Sequence, residues 1–255
     1  MAGDIKSYII SSDHHCPFHN TTIHKSFLRF IKDFHPDGFV LNGDFIDMFT
    51  ISSHLKGVRD LEDSQGKVIT LSKEFQAANE VLDAYDKVLP KDCEKYYLTG
   101  NHEDRLERFL NTDKNAVLEG LIQLEDLLRL KERKYKYISG YPNNYIKLGK
   151  LVVTHGAWTP KYASSKHLDE YRHSVVFGHT HSPQLLYVGG LYSKQVGVGL
   201  GHMADIHSKG MNYAKKTAKW VNGFAVVYVE KRTGQFWIEL LNFWDNKLIH
   251  NKKVY

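Results

Sequence analysis

Apolar positions recur along the chain in two rhythms that alternate through its first half. Residues 7–11 form a continuous apolar run that predicts a buried strand. Ile23, Phe27, Phe30, Ile31 and Phe34 then fall on one helical face, and Pro36 stops that helix. Residues 38–42 predict a second strand. From about Lys67, the positions Val68, Leu71, Phe75, Ala78, Leu82, Tyr85 and Leu89 recur at steps of three and four, until Pro90 closes a long helix. Residues 95–99 predict a third strand, and 106–110 and 116–130 two further helices. The second half is richer in strands, expected at 145–148, 151–154, 174–177, 185–188, 192–196, 224–229 and 236–241. Leu148-Gly149-Lys150 and Arg232-Thr233-Gly234 read as hairpin turns between them. The pattern predicts an α/β fold, a layered sandwich of mixed sheets with helices outside. No internal repeat, low-complexity stretch or linker divides the chain, so residues 1–255 are read as one domain.

Composition changes this picture little. At 42% hydrophobic and 25% charged over 255 residues, the chain has the make-up of a globular protein with a sizeable core. A formal charge of +5 is compatible with a polyanionic partner without requiring one. Two cysteines, Cys16 and Cys93, are too few for a disulfide framework, which points to a reducing compartment. The amino terminus lacks the apolar core of a secretory signal, and no apolar run reaches the length of a membrane span. A cytoplasmic protein with no membrane association is expected.

The 15 histidines change the picture more, because several follow strands in the company of Asp, Asn and Gly. Ser12-Asp13-His14-His15 follows the first strand and Asn42-Gly43-Asp44-Phe45-Ile46-Asp47 the second. Gly100-Asn101-His102-Glu103 follows the third. His155-Gly156 and Gly178-His179-Thr180-His181 follow two strands of the second half. Loops at the carboxyl ends of strands converge, so five such clusters can meet at one place. Carboxylate, amide oxygen and imidazole together suit Mn, Fe, Zn or Ni, with no thiolate needed. A carboxylate between two cations ~3.5–4 Å apart could neutralise both, and a water held there would lose its proton readily.

The order Asp-x-His, Gly-Asp-x-x-Asp, Gly-Asn-His-Glu, His, Gly-His-x-His resembles the calcineurin-like metallophosphoesterase superfamily over residues 13–181. In its compactness the chain is similar to the cap-free phage and bacterial type. The resemblance implies a four-layer αββα sandwich and two divalent metal ions, with Mn2+ the first expectation and Fe, Zn, Ni or Mg the alternatives. It implies that Asp13, His15 and His181 bind one ion, that Asn101, His155 and His179 bind the other, and that Asp44 bridges them. His102 would stand outside the coordination sphere beside the scissile ester, oriented by Asp47. His14 is expected to point away from its neighbours and Cys16 to be a small core residue. Glu103 is expected either to make a supporting hydrogen bond or to begin a helix.

The substrate is read from the surroundings. Family members that are protein Ser/Thr phosphatases carry Arg directly after the second Asp of Gly-Asp-x-x-Asp, and here that position is Met48. Its absence is less damaging for a phosphodiesterase. Two basic–aromatic runs could track a nucleic acid: Lys131, Arg133, Lys134, Tyr135, Lys136 and Tyr137, and then Lys209, Tyr213, Lys215, Lys216, Lys219 and Trp220. Either could equally be a solvated face. Arg105 and Arg108 could reach a substrate phosphate or pair with Asp104 and Glu107. The leading expectation is hydrolysis of a phosphodiester in DNA or RNA, a nuclease. The alternatives are a phosphomonoesterase or small nucleotide hydrolase, a protein phosphatase included, and a non-catalytic metal-binding module.

Overall fold

The computed structural model describes residues 4–52, 68–118, 120–190, 194–211 and 219–255. Four parallel strands, β1 (Ile5–Ser11), β2 (Gly38–Asn42), β3 (Glu94–Leu98) and β4 (Tyr135–Ile138), lie side by side in that order. β10 (Gly223–Glu230) pairs antiparallel on the free side of β1, and β11 (Phe236–Asn242) pairs antiparallel to β10, completing a six-stranded sheet. The second sheet runs β5 (Ile146–Leu148), β6 (Leu151–Thr154), β7 (Val175–Phe177), β9 (Lys194–Gly199), β8 (Gln184–Gly189). In it β6, β7 and β9 are parallel, while β5 and β8 are antiparallel to their neighbours.

One face of each sheet packs against the other. Ile10, Val40, Leu98, Ala225 and Val227 of the first sheet share a buried cluster with Leu148, Val153, Val176 and Val198 of the second. On the outer face of the first sheet, Ile9, Phe39, Leu41 and Tyr97 meet two helices. Helix α1 (Thr21–Phe34) supplies Ile23, Phe27, Phe30 and Ile31, and α2 (Leu71–Val88) supplies Phe75, Ala78, Leu82 and Tyr85. The outer face of the second sheet is covered in part by α5 (Ala163–Tyr171), whose Leu168 packs on Val152 and Val175. The layers are therefore α, β, β, α. A short β12–β13 hairpin (Ile249–His250, Lys253–Val254) closes over α1.

Local chemistry explains the helix limits. Asn20 caps α1 by accepting from the Thr22 and Ile23 amides at 3.1 Å, and His35 ends it in the left-handed region just before Pro36. Thr70 caps α2, so that helix begins after the apolar stripe does. The helix expected at 116–130 is not continuous. It breaks into a 3₁₀ turn (Ala116–Leu118) and the single turn α4 (Leu124–Leu127). Residues 135–138 form strand β4 instead of a surface run: Tyr135 faces the core and pairs in register with Lys95. Helix α5 is absent from the periodic signal because it buries Ala163, Ser164 and His167 beside a lone Leu168. No helix among the described residues is long and apolar enough to cross a membrane.

Candidate metal centre

The five ligand clusters leave the carboxyl ends of β1, β2, β3, β6 and β7, which lie next to one another in the two sheets. They are brought together by backbone conformation. Asp13, His15, Asp44, His179 and His181 all have positive φ, between 49° and 64°. Non-glycine residues reach that region at a cost, which surrounding structure must offset, and such positions concentrate at functional sites. Turning the chain at both Asp13 and His15 brings those two side chains to the site and sends His14 behind it. There the His14 Nε2 lies 2.9 Å from the Tyr85 hydroxyl, buried against Phe45. His14 thus has its expected outward place through loop geometry and not through strand alternation. Cys16 is fully buried in the core.

The glycines beside the ligands are required by space. A Cβ on Gly43 would meet the His155 ring at 2.4 Å, and one on Gly100 would meet Asp44 Oδ1 at 2.3 Å. One on Gly178 would meet Ser12 Oγ at 2.0 Å and Asp13 Oδ2 at 2.6 Å.

The predicted donors gather in two groups. Donor atoms of Asp13, His15 and His181 lie within 4.8 Å of one another, as do those of Asp44, His155 and His179. Asn101 Oδ1 joins the second group at 3.2 Å from His155 Nε2. Tautomers follow from the outer partners. His15 donates from Nδ1 to Asp47 Oδ2 at 2.9 Å, so its Nε2 carries a lone pair, and that atom lies 3.1 Å from His181 Nε2 and 3.9 Å from Asp13 Oδ1. His155 donates from Nδ1 to the Asn42 carbonyl at 2.8 Å, so its Nε2 lone pair faces Asp44 Oδ2 and Asn101 Oδ1, each at 3.2 Å. In the second group acceptors face acceptors, and in the first the His15 Nε2 lone pair and Asp13 Oδ1 both converge on His181 Nε2, at 3.1 and 3.0 Å; both settings are buried, and a cation in each is what such a donor set fits. In the absence of ions protons substitute. Burial opposes the His155 cation, but the Asp44 charge and hydrogen bond outweigh it and raise its pKa to about 10. Burial likewise pushes Asp44 up, yet His102 and His155 hold it well below the ordinary carboxylate range. His179, with less help, is lowered to about 4 by burial and by the His155 charge.

His102 differs from the seven. Its Nδ1 lies 2.7 Å from the Asp47 carbonyl and 3.3 Å from the Asp47 carboxylate, and its Nε2 accepts from Arg105 Nη2 at 3.0 Å. Both ring nitrogens are engaged, although Nε2 lies 3.8 Å from Asp44 Oδ2 and could be counted among the donors by distance alone. Asp47 sits between His15 and His102 and supports both.

Three further residues support the site: Glu103, for which the sequence allowed a supporting hydrogen bond, and Glu74 and Asn42, to which it assigned no role. Glu103, buried, accepts from the amides of Asp44 (2.9 Å), Phe45 (2.8 Å), Ile46 (3.3 Å) and Gly100 (2.8 Å), and from the Tyr97 hydroxyl (2.9 Å). It ties the β2 loop to the β3 loop and does not serve as a side-chain cap for α3 (Asp104–Leu110). Glu74 does the same for the next stretch, accepting from the Phe49 and Thr50 amides at 2.8 and 3.0 Å. Asn42 reaches across the sandwich to the Thr154 carbonyl at 2.7 Å. Of the two readings open for Glu103, the supporting hydrogen bond is the one its side chain makes. Glu74 looks in sequence like any acid in a first helical turn.

The basic–aromatic runs fare differently. Residues 131–134 precede the amino end of β4, opposite the carboxyl ends where the donors gather. Arg133 is committed there to Asp83 and Asp86 at 2.5 and 2.6 Å. That run is not at the rim of the centre. In the second run, Tyr213, Lys215 and Lys216 lie outside the described residues. Trp220 stands edge-on to His181 with ring centres 4.1 Å apart, and Lys219 is exposed. Lys219, Lys161 and Tyr162 line a cleft of ≈ 510 Å³ that begins at Ser182, the residue after His181. His202, fully buried and stacked 5.1 Å from His181, is a further neighbour without an expected role.

A family model described as calcineurin-like phosphoesterase matches residues 7–183. No curated protein gives a significant match. Among solved structures, Vps29 from Entamoeba histolytica complexed with Zn2+ is similar at 13% identity, covering 98% of this chain and 97% of that one, with a TM-score of 0.47. Vacuolar protein sorting 29 from Cryptosporidium parvum matches at 11% identity over 98% and 96% of the two chains, with a TM-score of 0.49. Yfce, a phosphoesterase from E. coli, matches at 14% identity over 90% and 96%, with a TM-score of 0.37.

Proposed function

The chain belongs to the calcineurin-like phosphoesterase family, and from that premise we propose that it is a metal-dependent phosphoester hydrolase acting on a phosphodiester of DNA or RNA. The observation that carries the hydrolase reading is the pair of buried donor groups sharing the neighbourhood of Asp44, in which imidazole nitrogens, carboxylate oxygens and an amide oxygen converge. Asp13, His15 and His181 would hold one divalent ion, Asn101, His155 and His179 the other, and Asp44 would contact both. Ions bound there supply Lewis-acid activation of a water and of the ester phosphate. Asp47 and the Asn42 carbonyl hold the His15 and His155 rings in the tautomers that offer Nε2 inward. Asp47 also fixes the His102 ring; burial opposes its cation, but the Asp44 and Asp47 charges raise its pKa, and once protonated its Nε2 would stabilise charge on the phosphate or the leaving oxygen.

The nucleic-acid reading is supported by the cleft beside Ser182. Lys161 and Lys219 make no ion pair among the described residues, and Tyr162 is 67% exposed at its edge. The Lys219 cation and the exposed Tyr162 ring, with the Lys161 ammonium 5.2 Å from its centre, suit a phosphodiester strand with bases to stack. A phosphomonoesterase is the second reading, and one observation favours it: although Met48 is buried in the core, Arg105 brings a guanidinium to His102. A metal-reconstituted panel separates the two, comparing nitrophenyl phosphate, bis-nitrophenyl phosphate, single- and double-stranded DNA, RNA and a phosphopeptide. Cleavage of the polymers with weak monoester turnover is expected. Fast monoester turnover without polymer cleavage would move the assignment to the second reading, and no turnover with both ions bound would remove the hydrolase reading altogether.

A further inference from the structure

A phosphate ester entering this centre would meet two donor carboxylates, Asp13 and Asp44, which offset half the charge of two divalent ions. Among the described residues, Arg105 is the cation whose side chain touches His102. Its Nη2 donates to His102 Nε2 at 3.0 Å, and its Nη1 donates to the Asp47 carbonyl at 2.8 Å, with Asp47 Oδ1 at 3.5 Å. The neighbouring Arg108 points elsewhere, exposed and paired with Asp104 at 2.7 Å. Met48, next to Asp47, adopts φ 54° and buries its side chain in the core, so its position offers nothing to a substrate. Arg105 is largely but not wholly buried, with 17% of its side chain exposed, as a group must be to meet an incoming ligand.

The hydrogen bond to His102 Nε2 is the informative one. A guanidinium is always a donor, and an imidazole nitrogen is a weaker partner for it than a phosphate oxygen, with which it forms charge-assisted, often paired hydrogen bonds. Nε2 is also the ring nitrogen that approaches Asp44, at 3.8 Å from Oδ2. The guanidinium therefore occupies the reaction side of the ring, on the atom the chemistry needs.

We propose that Arg105 is a catalytic residue that grips the substrate phosphate, and that in the free protein it caps His102 Nε2 until a phosphate draws it away. The proposal rests on the phosphoester-hydrolase reading. Nη1 keeps its bond to the Asp47 carbonyl, and Nη2 exchanges Nε2 for a non-bridging phosphate oxygen. The exchange frees Nε2 of its donor. No proton changes hands in this step.

The test uses the metal-loaded full chain and two readouts, orthophosphate affinity by titration calorimetry and kinetics with nitrophenyl phosphate and bis-nitrophenyl phosphate. Arg105→Ala, Arg105→Gln and Arg105→Lys are compared with wild type, with metal content checked for each. Losing a charge-assisted pair on a phosphate predicts that orthophosphate binding weakens by about 10- to 100-fold in the Ala and Gln variants. Lys should recover part of the loss, and KM should rise more for the monoester than for the diester. If Arg105 were only a strut for Asp47 and His102, Gln would restore function and orthophosphate affinity would match wild type in every variant, which overturns the proposal. The two readings fail separately. A wild type that binds orthophosphate through Arg105 but hydrolyses nothing removes the hydrolase reading and keeps the clamp. A wild type that hydrolyses esters, with Arg105→Ala binding orthophosphate normally, removes the clamp and keeps the hydrolase.

Discussion

Replacing Glu103 by Gln changes one atom and should cost more than most surface deletions. The carboxylate has five donors around it and no acceptor: Oε2 takes the Asp44 and Gly100 amides, and Oε1 takes the Phe45 and Ile46 amides and the Tyr97 hydroxyl. Burial and the Asp44 charge push the Glu103 carboxyl up, and the Gly100 amide is among the groups pulling against them. An amide at this position must place an NH2 donor on one side. With NH2 at the Oε2 side, two backbone N–H groups lose their acceptor and face another donor. With NH2 at the Oε1 side, two other N–H groups do, since only the Tyr97 hydroxyl can turn to accept. Hydrogen bonds to charged groups are worth about 1.5–3 kcal/mol each, so losing two predicts about 3–6 kcal/mol. That is a large part of the 5–15 kcal/mol by which domains are ordinarily stable. Urea unfolding of metal-free wild type and Glu103→Gln at neutral pH, followed by circular dichroism, measures it. Metal stoichiometry should fall as well, because Asp44 and Asn101 flank the tied loops. A change below about 1 kcal/mol with two ions retained would refute the claim that this carboxylate holds the loops.

Other outcomes follow from the same geometry. Asp44→Asn should empty or loosen both ion sites, where wild type takes up about two ions per chain; elemental analysis showing two ions in an active variant would sink the bridging role. His102→Ala should keep its metal and lose about 10²- to 10⁴-fold in turnover, less for esters with good leaving groups; loss of metal would make His102 a ligand instead. Gly178→Ala should disable the centre, since its Cβ would lie 2.6 Å from Asp13 Oδ2; metal content of the purified variant checks this. In metal-free protein His155 is raised to about 10 from 6.5, so its ion pair with Asp44 contributes fully below about 6.5 and is lost as pH rises through 10. Metal-free wild type should therefore lose stability over that window while Asp44→Asn loses less, and ion binding near neutral pH should release on the order of one proton, read from calorimetry in buffers of different ionisation enthalpy.

The strands that lead into the centre were readable because buried parallel strands are short unbroken apolar runs, as residues 38–42 and 151–154 are. The clusters were readable because each follows such a run at once. β4 was not, since Lys136 between Tyr135 and Tyr137 reads as a basic surface until the pairing to β3 is known. α5 was missed because its buried face is Ala, Ser and His. The partners of the site's supports were invisible for a different reason. A supporting hydrogen bond was one of two readings for Glu103, but most of its partners, the amides of residues 44–46, are remote in sequence, and Glu74 acts on the amides of 49–50 with no sequence-local signature. Arg105 was noticed beside His102, but only the turn of α3 decides that it, and not Arg108, faces the ring.

The donors do not come from one sheet. Asp13, His15, Asp44 and Asn101 extend from the six-stranded sheet, while His155, His179 and His181 extend from the five-stranded one. Any ion held by either group is thus bonded to both halves of the sandwich, at the open end where the apolar filling between the sheets stops. Mechanically the two ions would be rivets: they cross-link segments more than a hundred residues apart in the chain, as a disulfide would, but reversibly and under the control of metal supply. A chelator would then do more than silence a reaction. It would unfasten one end of the molecule, and limited proteolysis of the loops around residues 156–162 and 178–183 should quicken when the ions are withdrawn.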